Sequence, residues 1–176
     1  MRVDRSRDKA LTIETNGEEE TRALAARLAA QFTGGEVVGL RGDLGVGKTV
    51  FVQGLARGLD AQEPATSPSF VIAHQYPGRL PLHHVDLYRL EPGHVDDLGL
   101  EELMTSDAVV AIEWCERLPE RLRGRVSLDI AIEFGSRERD RTLRIRAVEE
   151  TTAERLRSIR TGTACCDPSA PPQHKQ

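Results

Sequence analysis

The 176-residue chain is 39% apolar and 30% charged, close to the globular average, so one domain with a buried core is expected rather than two domains or a disordered polymer. Its formal net charge of −4 lacks the basic excess of a direct nucleic-acid binder. No stretch approaches the roughly 20 apolar residues that cross a bilayer, and the first residues carry no apolar signal-peptide core, so a cytoplasmic protein is expected.

Residues 1–9 are polar and expected to fray, and residues 10–14 have the β-branched and apolar content of a short strand. Asn16 reads as a helix cap, followed by Glu18, Glu19 and Glu20 at the positive helix end. Leu24, Leu28 and Phe32 then recur on one helical face, and Gly34-Gly35 is expected to end the helix. Val37, Val38, Gly39 and Leu40 form an apolar run suited to a strand covered on both faces, and it leads into a glycine-rich turn. Val50, Phe51, Leu55 and Leu59 restore helical spacing until Gly58 and Pro64 close the element.

Residues 70–76 and 82–87, joined around Pro77 and Gly78, predict a hairpin, with a short helix after Pro92. Residues 108–112 are wholly apolar and end in Glu113 and Trp114, the pattern of a central strand at its carboxyl end. Residues 126–132 and 142–147 predict two late strands. Beyond Arg160 the chain turns proline-rich, so a folded domain over 10–160 and a disordered tail over 161–176 are expected. The whole predicts an α/β, three-layer fold with a central, mostly parallel sheet and antiparallel additions. The arginines at 121, 123 and 125, and those between Arg137 and Arg146, read as a solvated mixed-charge face, since Glu138 and Asp140 interrupt them. Cys115, Cys165 and Cys166 are expected to be reduced thiols, without a second ligand pair at zinc spacing.

Gly42-Asp43-Leu44-Gly45-Val46-Gly47-Lys48-Thr49 satisfies G-x-x-x-x-G-K-[ST] between an expected buried strand and an expected helix, which makes the fold P-loop NTPase-like. Glycines let successive amides curl inward around phosphate oxygens, and the helix adds its positive end. Lys48 is expected to reach the β- and γ-phosphates of ATP, and the Thr49 hydroxyl to ligate Mg²⁺. Such a site also needs a metal-shell carboxylate and a group that positions water. Asp86 and Glu113, each at the end of a predicted strand, fit these two roles without an order between them. Thr66-Ser67-Pro68-Ser69 is a hydroxyl-rich loop after the P-loop helix, where a γ-phosphate-sensing switch would lie. His83 and His84 read as structural or surface residues. Trp114 reads as core, as a nucleotide cover, or as a partner contact.

These motifs together resemble the TsaE family, the ATPase subunit of the bacterial machinery that makes threonylcarbamoyladenosine in tRNA. Residues 42–49 are similar to its P-loop and Thr66-Ser67-Pro68-Ser69-Phe70 to its switch. His84-Val85-Asp86-Leu87-Tyr88-Arg89-Leu90 and Ile112-Glu113-Trp114 are similar to its His-x-Asp-x-Tyr-Arg and Glu-Trp elements. The resemblance spans residues 11–146, with Ser69 where threonine is usual and Cys115 where proline is usual. It implies a Mg²⁺-dependent ATPase that cycles between ATP and ADP, with Lys48 and Thr49 on phosphate and metal. It further implies Glu113 in the metal shell, Asp86 as a catalytic or metal-linked acid and Thr66 as the switch. The implied partners are TsaB and TsaD, TsaD being the subunit that modifies the adenosine beside the anticodon, so that tRNA is reached only indirectly. A small-molecule kinase is the main rival, yet residues 61–101 carry no clear acceptor pocket or arginine lid. The Asn-Lys-x-Asp reader of a GTPase cannot exist, because Asn16 is the only asparagine. A non-catalytic nucleotide-dependent scaffold is the third reading.

Overall fold

A computed structural model describes residues 10–67, 72–90, 95 and 98–148. In chain order these form β1 (Ala10–Thr15), α1 (Glu18–Ala29), β2 (Val37–Arg41), α2 (Lys48–Gly58), β3 (Ala73–Tyr76) and β4 (Leu82–Asp86). There follow α3 (Leu100–Leu103), β5 (Val109–Glu113), a 3-10 turn at Cys115–Arg117, α4 (Glu120–Arg123), β6 (Leu128–Phe134) and β7 (Arg141–Ala147). The strands make one sheet in the order β1-β7-β6-β2-β5-β4-β3. β6, β2, β5 and β4 run parallel, while β3, β7 and β1 add antiparallel at the two sides. The predicted mostly parallel sheet with antiparallel additions is therefore present.

The apolar runs of β2 and β5 explain the layering, since residues that alternate between faces are apolar on both and each face must be covered. On one face Leu24 and Leu28 of α1, and Phe51, Val52 and Leu55 of α2, pack with Val38, Leu40, Val109 and Ala111. On the other, Val37, Val85, Val110 and Ile112 pack with Leu100, Leu118 and Leu122. Each fully buried leucine or phenylalanine contributes about 1.5–3 kcal/mol relative to exposure. α1 and α2 touch closely because Gly58 faces Ala26, whose carbonyl oxygen would lie 2.2 Å from an added Cβ. Among the described residues, no helix is long and apolar enough to cross a membrane.

Element ends differ from expectation in instructive places. The cap of α1 is Gly17, not Asn16. Asn16 instead donates its backbone and side-chain N–H groups to the Glu20 carboxylate, at 2.8 and 3.1 Å. α1 stops at Ala29, before Gly34-Gly35, because the Arg79 guanidinium takes the carbonyls of Ala29 and Phe32 at 2.6 and 3.0 Å. β6 begins two residues late, since the Val126 N–H turns back to the Arg123 carbonyl and closes the turn after α4. The expected frayed start, the tail, Cys165 and Cys166, the first residues of the hairpin and the segment directly after Pro92 lie outside the described residues.

Cys115 packs against Gly39 beneath β2, and burial pushes its thiol up to about 12. Ionisation at pH 8 is then about one part in ten thousand, too little for nucleophilic attack. Peptide mapping after brief iodoacetamide treatment of the native protein is expected to find Cys115 unmodified, and fully alkylated only after denaturation.

Candidate active site

The register of the parallel strands builds the site. Asp86 of β4 pairs with Glu113 of β5, and Leu40 of β2 pairs with the same Glu113, so the two acids stand side by side at the carboxyl end of the sheet. Crevices beyond the carboxyl ends of parallel strands are where open α/β sheets hold ligands. Here the loop from β2 to α2 rises over that edge. Gly42, Gly45 and Gly47 adopt φ of 138°, 76° and 107°. A Cβ on Gly42 would meet the Ile132 carbonyl oxygen at 2.3 Å, so only glycine lets the loop leave β2 beside β6.

Lys48, the first residue of α2, folds back into its own loop. Its Nζ donates to the carbonyls of Gly42 and Asp43 at 2.7 and 2.8 Å, and lies 3.8 Å from the centroid of the Trp114 ring. Burial holds its ammonium below the ordinary lysine value, against the pull of the Glu113, Glu116, Asp86 and Asp43 carboxylates. Thr49 donates its hydroxyl to Glu113 Oε1 at 2.8 Å. With its proton directed at the carboxylate, the Thr49 oxygen keeps its lone pairs for a ligand. One hydroxyl and one carboxylate form the donor set of a hard cation that takes its remaining ligands from phosphate and water, so these residues fit Mg²⁺.

Lys48, Thr49, Ser67, Asp86, Glu113 and Trp114 line a common cleft of about 380 Å³. Gly45, Gly47 and Leu44 form its loop side, and Leu44 is exposed at the tip. Val46 instead points into the core, while Gly42 and Asp43 serve through their carbonyls. Asp86 accepts the Tyr88 N–H at 2.9 Å, and burial is the main reason its carboxyl sits above the ordinary aspartate value. Thr66 contributes backbone rather than a cleft wall: the Tyr76 hydroxyl accepts its N–H at 3.0 Å and lies 3.2 Å from its carbonyl. Ser69 lies outside the described residues. Tyr76→Phe is expected to lower stability by about 1–2 kcal/mol, measured by urea unfolding, because both Thr66 groups lose their partner at once.

Several site residues make contacts that no local spacing announces. His84 is fully buried with Nε2 2.9 Å from Glu113 Oε1. Arg117 turns one guanidinium nitrogen to the carbonyls of Leu87, Tyr88 and Leu90 and lies 5.5 Å from the Trp114 ring, joining the loops after β4 and β5. Arg141, in the stretch read as a solvated face, donates Nε to the Val46 carbonyl at 2.7 Å and lies 4.7 Å from the Phe134 ring. Its neighbours do form ion pairs, Arg144 with Glu133 at the surface and Arg146 with the largely buried Asp129. Across the loop from the acids, a second cleft of about 760 Å³ runs between Gly17, Glu18, Val50, Phe134 and Arg139.

The family model for "Threonylcarbamoyl adenosine biosynthesis protein TsaE" matches residues 15–143. The chain belongs to the TsaE family. A TsaE from Nostoc sp. is 48% identical over 106 residues, an alignment that spans 57% of this chain and just under two thirds, 65%, of that protein. One from Bacillus subtilis is 43% identical over 115 residues, spanning 65% of this chain and 72% of its own length. Both carry the name tRNA threonylcarbamoyladenosine biosynthesis protein TsaE. The crystal structure of Bacillus subtilis YdiB superposes with a TM-score of 0.70 at 32% identity, covering 87% of this chain and 95% of YdiB. The α/β fold of the TsaE family member described here is thus that of a solved structure, and the P-loop and both acids fall inside the matched region.

Proposed function

We propose that this chain is the ATP-binding and ATP-hydrolysing subunit of the machinery that makes threonylcarbamoyladenosine beside the anticodon of tRNA, acting with TsaB and TsaD. The observation that carries the reading is the contact of Thr49 with Glu113 at the mouth of a P-loop whose lysine is already folded inward. Family membership narrows the pathway, and the net charge of −4 favours reaching tRNA through partners rather than directly.

In this reading the loop amides and Lys48 hold the triphosphate, and the second cleft takes the nucleoside, with Val50 and Phe134 as its apolar walls. Thr49 and Glu113 hold Mg²⁺. Bound there, Mg²⁺ would supply positive charge against the phosphate oxygens of the nucleotide. Asp86 faces the same cleft and orients the attacking water; its raised pKa makes it a readier proton acceptor than an exposed aspartate. Trp114 covers Lys48 and the phosphate side. Thr66, anchored by Tyr76, begins the switch whose ATP and ADP forms the partner subunits distinguish.

Calorimetric titration with magnesium ATP, paired with a free-phosphate assay, tests the site. Heat of binding and stoichiometric phosphate release are expected. Absence of both in folded protein rejects the reading, and a phosphorylated small molecule in place of free phosphate favours the kinase. A pull-down with and without ATP tests the pathway, with TsaB and TsaD expected in the ATP sample. Phosphate release that no partner accelerates would favour the scaffold.

A further inference from the structure

The Glu113 oxygen that accepts the Thr49 hydroxyl also faces a histidine. His84 lies in β4 on the same side of the sheet as Asp86 and Glu113, is wholly buried, and sets Nε2 2.9 Å from Glu113 Oε1. Its Nδ1 is also buried and has no hydrogen-bond partner among the described residues. The adjacent positions on that face, Leu82 and Ala111, are apolar. Packing alone would be served by another apolar side chain, whereas an idle buried ring nitrogen carries a desolvation cost.

We infer that His84 is a positioning residue for Glu113, locking the carboxylate so that it in turn fixes the Thr49 hydroxyl for Mg²⁺. This rests on the nucleotide reading above. An ionised Glu113 only accepts, so the hydrogen of the 2.9 Å contact sits on Nε2. A second N–H, on Nδ1, would meet no acceptor among the described residues. With Nε2–H and the Thr49 hydroxyl both donating to Oε1, rotation of the carboxylate would break two hydrogen bonds at once. Thr49 thereby keeps its proton turned inward and its lone pairs turned to the cleft. The arrangement matches the way outer hydrogen bonds orient metal ligands elsewhere.

The test compares His84→Gln, whose amide N–H replaces Nε2–H, with His84→Leu, which has no donor. A fluorescent ADP analogue is titrated in EDTA and in magnesium. Affinity in EDTA is expected to stay within about twofold of wild type in both, while the gain on adding magnesium falls about tenfold in His84→Leu and by less than about threefold in His84→Gln. Nitrogen NMR of the wild type is expected to show the proton on Nε2. A full magnesium response in His84→Leu, equal losses in the two variants, or an Nε2 that carries no proton overturns the inference. Should His84→Leu fail to fold, His84→Gln and the nitrogen spectrum decide. Wild-type protein that binds no nucleotide in either buffer instead defeats the nucleotide reading and the metal role with it, whereas nucleotide binding indifferent to magnesium defeats the metal role alone.

Discussion

Lys48→Ala is expected to leave a folded protein whose ATP turnover falls by about 100-fold or more, the scale on which loss of one preorganised charge-stabilising group is felt. The reason lies in the charges around the ammonium. Glu113, Glu116, Asp86 and Asp43 all act on Lys48. Remove the lysine and a polyanion must enter a cleft lined by carboxylates with only loop amides to meet it. The fold should tolerate the change, because the ammonium bonds only carbonyls of its own loop and its burial already disfavours the charged form. Calorimetry should show little heat with magnesium ATP, and a melting curve close to wild type would show that the loss is local. Lys48→Arg should not restore activity: a planar fork cannot take the place of a point charge held between two carbonyls and a ring. Undiminished turnover in Lys48→Ala would remove the basis for the phosphate site.

The contrast between Lys48 and Arg117 shows how much of this site could be read from the chain. Lys48 belongs to a local pattern, eight consecutive residues whose spacing is set by the geometry of one loop. Glu113 was legible for a related reason, because a carboxylate ending a fully apolar run must emerge at the end of a buried strand, and Asp86 was legible because it stands at the end of a predicted strand. Their adjacency was not legible, for it depends on β4 and β5 being parallel neighbours in that register. Arg117, Tyr76 and Arg141 act across the fold on the backbones of residues 27 to 30, 10 and 95 positions away. A side chain that bonds a distant carbonyl leaves no periodicity or spacing to find. Arg141 is the sharpest case, since among alternating charges it resembles its ion-paired neighbours until the P-loop is seen to lie against it. The strands and helices themselves were legible because apolar periodicity is strong in β2, β5, α1 and α2. Their ends were less so, as at Ala29, where the stop signal is an arginine 50 residues away.

Glu113→Ala should have a double effect that separates it from Lys48→Ala. Glu113 is only 3% exposed, and its Oε1 is the shared acceptor for Thr49 and His84. Truncation leaves the buried His84 ring without the acceptor its Nε2 faces, at a cost of about 1–3 kcal/mol, so the melting temperature should fall. Magnesium-dependent turnover should drop by about 10- to 100-fold, since the hydroxyl of Thr49 loses the group that orients it. Nucleotide affinity in EDTA should hold or rise, because a negative charge has left the neighbourhood of the phosphates. Glu113→Gln divides the two effects. Its amide oxygen still accepts from His84 and Thr49, so stability should recover, but the anionic charge is gone and turnover should remain low. Equal melting temperatures for Glu113→Ala and wild type would mean that His84 is satisfied in some other way, and wild-type turnover in Glu113→Gln would mean that the charge at this position is not what magnesium requires.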